Sequence, residues 1–283
     1  MQPTPFGAAA VDRFLAEVSA ADGHPPLSGH KLSQIAQETG RVDAWSDDEG
    51  VCLVCVAAHH AGDGHWAIEA AVATRRRDAT DEEAAIRNAE RLVPNDDRHT
   101  LWAFRGEQIE AAIRLGYVET RSVLRMSVAI ADVARVPASG ISITSMIEED
   151  VAAIVEINNR AFVGHREQAA MTVDSFRRLI RSEGFDADGT VVARTEQRIA
   201  GFCVTKRQGS VGGEVYLLAV DPDLAGSGYG SMLASAGCDR LANRGAATAV
   251  VWVDTTNHAA LRVYRALGFS DDFRNREMTP ATD

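Results

Sequence analysis

The chain has 283 residues, 46% hydrophobic and 24% charged, an ordinary globular composition long enough for one large domain or two of common size. Its formal net charge of −11 excludes a general nucleic-acid or anionic-membrane binder, which would carry a basic footprint. No apolar run approaches membrane-spanning length, and the opening MQPTPFGAAAVDRFLAEV lacks a basic region ahead of an apolar core, so the reading is a cytoplasmic monomer with neither nucleic-acid nor membrane partners.

The first 135 residues read as an N-terminal domain. A helix is expected around Val11 to Val18, then a hairpin-like pair, VCLVCVAAHH and HWAIEAAVAT, separated by Ala-Gly-Asp-Gly. Cys52 and Cys55 form a CxxC inside the first of these strands, but no second pair follows, so they read as buried thiols, as do Cys203 and Cys238. The eight histidines are scattered and His59-His60 has no ligand at helical or finger spacing, so no metal is expected. A polar helix DEEAAIRNAERL, a strand LWAF, a helix EQIEAAIRLG with Gly116 just past its end, and a strand near Tyr117 to Ile130 complete the domain. Val136 to Gly140 reads as a linker.

A second domain covers 141–283. After the strand ISIT, Ser145 and Glu148 fit a capping box ahead of a helix carrying Val151, Ile154 and Val155 on one face. A helix over about Thr172 to Arg181 and the paired strands GTVVAR and RIAGFCVTK follow. Val215 to Val220 carries no charge and reads as a strand buried on both faces, stopped by Pro222. Gly226, Gly228 and Gly230 then open a helix with apolar positions Leu233, Ala236, Gly237 and Leu241. Glycines there let backbone N–H groups approach an anion at the positive end of the helix, although such a turn also serves as a tight connection without ligand. The spacing is neither a Walker loop nor a dinucleotide fingerprint. AVVWVD is a further buried strand, TTNHAALRVYRALG a helix closed by Gly268, and the remaining residues read as a polar tail.

The halves echo each other. Ile113 to Tyr117 matches Arg265 to Phe269, Met126 falls on Met278 at the same shift, Leu101-Trp102-Ala103 resembles Val251-Trp252-Val253, and Ala70-Ala71-Val72 resembles Leu218-Ala219-Val220. A duplicated domain follows. The first copy has ATRRRDATDEE where the second has its glycines, and Ala112 where the second has Tyr264, so it reads as structural or substrate-contacting.

The order strand, glycine turn, helix, strand ending in Asp, and a helix with Asn257, Ala260, Tyr264, Gly268 and Phe269 resembles the GNAT acetyltransferases. The resemblance implies two α/β mixed-sheet domains of that fold and acetyl-CoA as co-substrate. INNRAFVGHREQ, GEVYLLAVDP and Asp254 through Phe269 are similar to tandem members that acetylate the cysteinyl amine of cysteinyl-glucosaminyl-inositol. Carried over, the acceptor contacts fall on Glu167, Lys206 and Glu214, with Trp252 where those enzymes have Tyr. The coenzyme segments fall on Leu218, Ala219 and Val220, on Ala225, Gly226, Ser227, Gly228, Tyr229, Gly230 and Ser231, and on Asn257, His258, Ala259, Ala260, Leu261 and Arg262. The chain has Ala225-Gly226-Ser227 where relatives of this kind carry Gln or Arg and further Arg, and Trp252 cannot accept a hydrogen bond as Tyr could.

The chemistry so implied needs a deprotonated amine, a polarised thioester carbonyl and a proton for the departing thiolate. Glu214 is the candidate base, Tyr264 the donor to sulfur, and a backbone N–H near Leu218 to Val220, freed where the central strands splay, the carbonyl's partner. Against this stand a solvated strand-end Glu and a helical Tyr used for packing. Lys206 shares its residue type only with Lys31, which favours a substrate role over a solvated strand end. Another small amine as acceptor, or a non-catalytic acyl-CoA-binding protein, remain the alternatives.

Overall fold

The structure, a computed structural model, describes residues 2–3, 8–23, 26–28, 31, 41–59, 65–94, 97–163, 171–182, 184–185, 187–208 and 211–281. They fall into two compact units, Met1–Val123 with Arg274–Asp283, and Leu124–Phe273.

The first unit contains β1 (Gln2–Pro3), α1 (Ala8–Asp22), β2 (Arg41–Asp47), β3 (Gly50–His59), β4 (Trp66–Val72), α2 (Ala79–Glu90), β5 (His99–Ala103), α3 (Gly106–Arg114) and the start of β6 (Tyr117–Ala129). The expected hairpin is β3 with β4, antiparallel from Leu53↔Val72 to His59↔Trp66, and β4 runs parallel to β5. Cys52 and Cys55 are buried free thiols on β3, where burial pushes both pKa values up. Strand β2 is a finding beyond the sequence reading, because RVDAWSD buries only Ala44 fully and has no strong alternation.

The second unit contains the end of β6, then β7 (Ser142–Ser145), α4 (Val151–Ala161), α5 (Val173–Ile180), β8 (Thr190–Arg194), β9 (Ile199–Gln208), β10 (Gly212–Val220), α6 (Tyr229–Asn243), β11 (Thr248–Asp254), α7 (His258–Ala266) and the start of β12 (Ser270–Pro280). Its sheet has the order β6-β11-β10-β9-β8-β7, with β10 and β11 parallel. Val215, Cys203, Val251, Leu233 and Leu261 form a core with α6 and α7 on one face, while Leu217, Ala219, Val204 and Phe176 pack with α4 and α5 on the other. Each side chain of that kind contributes about 1.5–3 kcal/mol by leaving water.

Val215 pairs with Thr205 but Leu217 with Val204, so Tyr216 is an extra residue in β10 and the in/out alternation reverses after it. The expected capping box at Ser145 and Glu148 is replaced. Ser145 stays in β7 and its hydroxyl accepts from Arg240, while the Asp150 carboxylate accepts from the Ile147 N–H (2.8 Å) and is held by Arg194. Val136–Gly140 is irregular, but Val136 packs on the second unit's core and donates its N–H to Ser235 Oγ, so the units part at 123/124 instead. The expected polar tail is strand β12. Its Met278 is buried in the first unit's core opposite Leu101, as Met126 of β6 is buried in the second unit's core. Buried Asn275 and Glu277 hid this strand from an apolar pattern.

Candidate active site

β10 and β11 pair at Gly212↔Thr248, Gly213↔Ala249 and Glu214↔Val250, and there the pairing ends. Both strands run on, to Val220 and Asp254, so the peptide groups of Leu218 and Val220 that face β11 have no strand partner there, while Ala219 stays paired with Phe202 of β9. The sheet opens at its centre just past Glu214.

Register assigns the side chains around that opening to faces. Glu214 is the Cα partner of Lys206, and Trp252 lies two residues past the Val250 that faces Glu214, so all three share the α4/α5 face. Arg125, between core residues Leu124 and Met126, points the same way; its guanidinium lies 5.5 Å from the Phe273 ring, which meets Trp252 edge to face at 5.5 Å. Arg125 also pairs with Asp272. Glu214 is 8% exposed, and its Oε2 accepts from Gln208 Nε2 (2.5 Å). Burial raises its pKa, against opposing pulls from Lys206, Gln208 and Arg125. The solvated strand-end alternative is thus removed for Glu214. Glu167, and His165 beside it, lie outside the described residues.

Tyr264 lies on the other face, in the α6/α7 core, 4% exposed and edge to face with Phe269 at 5.3 Å. Burial, with Cys203 and Cys238 nearby, drives its pKa far up, so the phenol keeps its proton. The hydroxyl has no hydrogen-bond partner among the described residues. Cys203 and Cys238 are buried and free as expected, and burial pushes Cys238 up to about 12. Glu214 and Tyr264 can serve one reacting group only through the opening between β10 and β11.

The glycine turn is built as a helix start. Gly226 (φ +83°) and Gly228 (φ +81°) are left-handed, and α6 begins at Tyr229 with Gly228 as its cap. Ser231 and Met232 donate to the Gly228 carbonyl, whereas no backbone carbonyl among the described residues accepts from Gly226, Gly228, Tyr229 or Gly230. A Cβ at Gly226 or Gly228 would meet nothing within 4 Å, so the turn faces open space. Below it, buried Asp221 is held by Arg160 (3.0 Å) and Arg198 (3.2 Å), which fixes where the turn begins. Asn257 caps α7, accepting from the Ala260 N–H (3.0 Å); His258, Ala259 and Arg262 are exposed, and Leu261 turns into the core. Val220 and Val263 flank Gly230, each 3.8 Å from where its Cβ would stand.

The matching place in the first unit is filled. Gln108 Nε2 donates to the Ala70 carbonyl (3.1 Å) and its Oε1 accepts from the Phe104 N–H. Arg105, at the position of Asn257, is buried against Glu82 of α2 (2.9 Å). Among the described residues no cluster of His, Cys, Asp or Glu could hold a metal, and no helix is long and apolar enough to cross a membrane.

Sequence reasoning missed Arg125, Gln208, Phe185 and Tyr216. Only Arg125 carried a signal, as a polar residue between apolar neighbours on its strand.

Residues 151–269 match the family model described as acetyltransferase (GNAT) family. A mycothiol acetyltransferase of Acidimicrobium ferrooxidans is 32% identical, the alignment covering 92% of this chain and 89% of that one. One from Kocuria rhizophila is 32% identical over 90% of both. Among solved structures, a GCN5-related N-acetyltransferase from Sphaerobacter thermophilus superposes with TM-score 0.74 at 18% identity, over 97% of this chain and 93% of that one. A tandem GNAT protein of the clavulanic acid biosynthesis pathway gives TM-score 0.72 at 16% identity, over 99% and 98%. Both show the tandem fold. With relatives of that identity spanning nearly its whole length, the chain belongs to the mycothiol acetyltransferase family of GNAT N-acetyltransferases.

Proposed function

We propose that the second unit moves an acetyl group from acetyl-CoA to the cysteinyl amine of cysteinyl-glucosaminyl-inositol. The observation that carries this is the buried carboxylate of Glu214, with a raised pKa, at the last rung before the central strands part.

Bound acetyl-CoA would supply the acetyl thioester. The residues fit it. The open glycine turn offers the N–H groups of Gly226, Gly228, Tyr229 and Gly230 to a diphosphate at the positive end of α6. The peptide groups of Leu218 and Val220, which have no partner on the β11 side, line the opening, where an N–H can polarise a carbonyl as its oxygen gains charge. Glu214 takes the proton of the amine, directly or through a water, and Tyr264, held protonated by burial, gives one to the departing sulfur. Lys206, Trp252 and, outside the described residues, Glu167 would hold the acceptor.

Trp252 favours a second reading, a different small amine as acceptor, because an indole donates but cannot accept where relatives of the resemblance have a phenol. Free-thiol release from acetyl-CoA over a panel of amines tests both. The first reading expects cysteinyl-glucosaminyl-inositol to give the highest kcat/KM; a panel amine exceeding it tenfold supports the second.

A further inference from the structure

Lys206 and Glu214 are Cα partners on adjacent antiparallel strands and share a face. Opposite charges so placed ordinarily attract across the rung. Yet Lys206 makes no salt bridge among the described residues, and the Glu214 carboxylate accepts from Gln208 instead. The ammonium lies against two aromatic rings, 5.1 Å from the centroid of Phe185 and 6.0 Å from that of Tyr216. The rings meet edge to face, centroids 4.8 Å apart at 87°.

Two backbone features build this cage. The extra residue in β10 is Tyr216 itself. Gly184 (φ +82°) accepts from the Arg207 N–H (2.8 Å), pinning the turn that carries Phe185 along β9; a Cβ there would meet the Arg207 carbonyl at 2.9 Å and Lys206 Cγ at 3.3 Å.

We propose that Phe185 and Tyr216 are positioning residues that hold the Lys206 ammonium away from Glu214, leaving that carboxylate open to the acceptor's proton. This rests on the reading of Glu214 as the base, but the contact itself is measurable without turnover. A closed ion pair would occupy the carboxylate oxygens and lower their proton affinity. Among the described residues, the other charge acting on Glu214 is Arg125 of β6, itself paired with Asp272 of β12.

The test follows the Glu214 carboxyl by carbon-13 NMR through a pH titration of the full chain, with Glu214→Gln identifying its signal. Phe185→Leu frees the lysine to close on Glu214, so the midpoint falls by on the order of one pH unit. In the same variant kcat falls by roughly threefold to tenfold. In a Lys206→Met background the same substitution moves neither, Tyr216→Phe keeps the wild-type midpoint, and Tyr216→Leu repeats the effect through the other ring. An unmoved or raised midpoint in Phe185→Leu, an equal shift without Lys206, or a higher KM alone overturns the proposal. Full kcat in Glu214→Gln instead removes Glu214 as base, and the midpoints still decide the cage.

Discussion

Glu214 stands opposite Val250 at the last rung joining β10 to β11, so a buried carboxylate marks the place where the sheet opens. Glu214→Gln is expected to abolish most activity at neutral pH, because an amide cannot accept the amine's proton. In the wild type, kcat/KM falls as pH drops through the raised pKa of Glu214. The stability effect has the opposite sense. A folded-state pKa above the unfolded value gives stability that is present below the unfolded value and lost as pH rises through the folded one. Glu214→Gln should therefore melt no lower than wild type at pH 7–8, and a clearly lower Tm with retained activity would show a structural carboxylate.

Tyr264→Phe should lower kcat by roughly 10²-fold with little change in coenzyme affinity. Its hydroxyl has no hydrogen-bond partner among the described residues, so thermal stability should be unchanged or slightly higher. An unchanged kcat returns Tyr264 to packing against Phe269.

The turn residues separate charge from shape. Ser227→Arg adds an exposed cation worth about 0–1 kcal/mol, tightening acetyl-CoA by about two- to tenfold at low salt and less as salt rises. Gly230→Val places a branched side chain beside Val220 and Val263 at the edge of the opening, and should weaken binding at least about tenfold at any salt concentration. Gly228→Val strains a φ of +81° as well. Calorimetry at low and high salt reads all three; normal affinity in both glycine variants moves the coenzyme away from this turn.

One acetyl-CoA site per chain is expected, because Gln108 and the Arg105–Glu82 pair occupy the corresponding place in the first unit. Calorimetry giving two equivalent sites would contradict this.

The central strands, the glycine turn and the duplicated plan were legible because β-branched runs, glycines before a helix and the Asn257-to-Phe269 pattern are local signals. Strand β12 was not, since Asn275 and Glu277 are among its buried positions, and Glu277 pairs with Arg121, far along the chain. Of the site, Glu214 and Tyr264 came from resemblance. Their burial, and the opposite faces they occupy, depend on strand register that one-residue bulges such as Tyr216 reset. The aromatic contacts of Lys206 join residues that no spacing rule connects.

The most direct measurement is the mass of the product formed from acetyl-CoA and cysteinyl-glucosaminyl-inositol by the full chain and by Glu214→Gln. One acetyl group on the cysteinyl nitrogen is expected with the wild type, with formation lowered by roughly 10²-fold or more in the variant. No acetylated product from the wild type, or equal formation by both proteins, would contradict it.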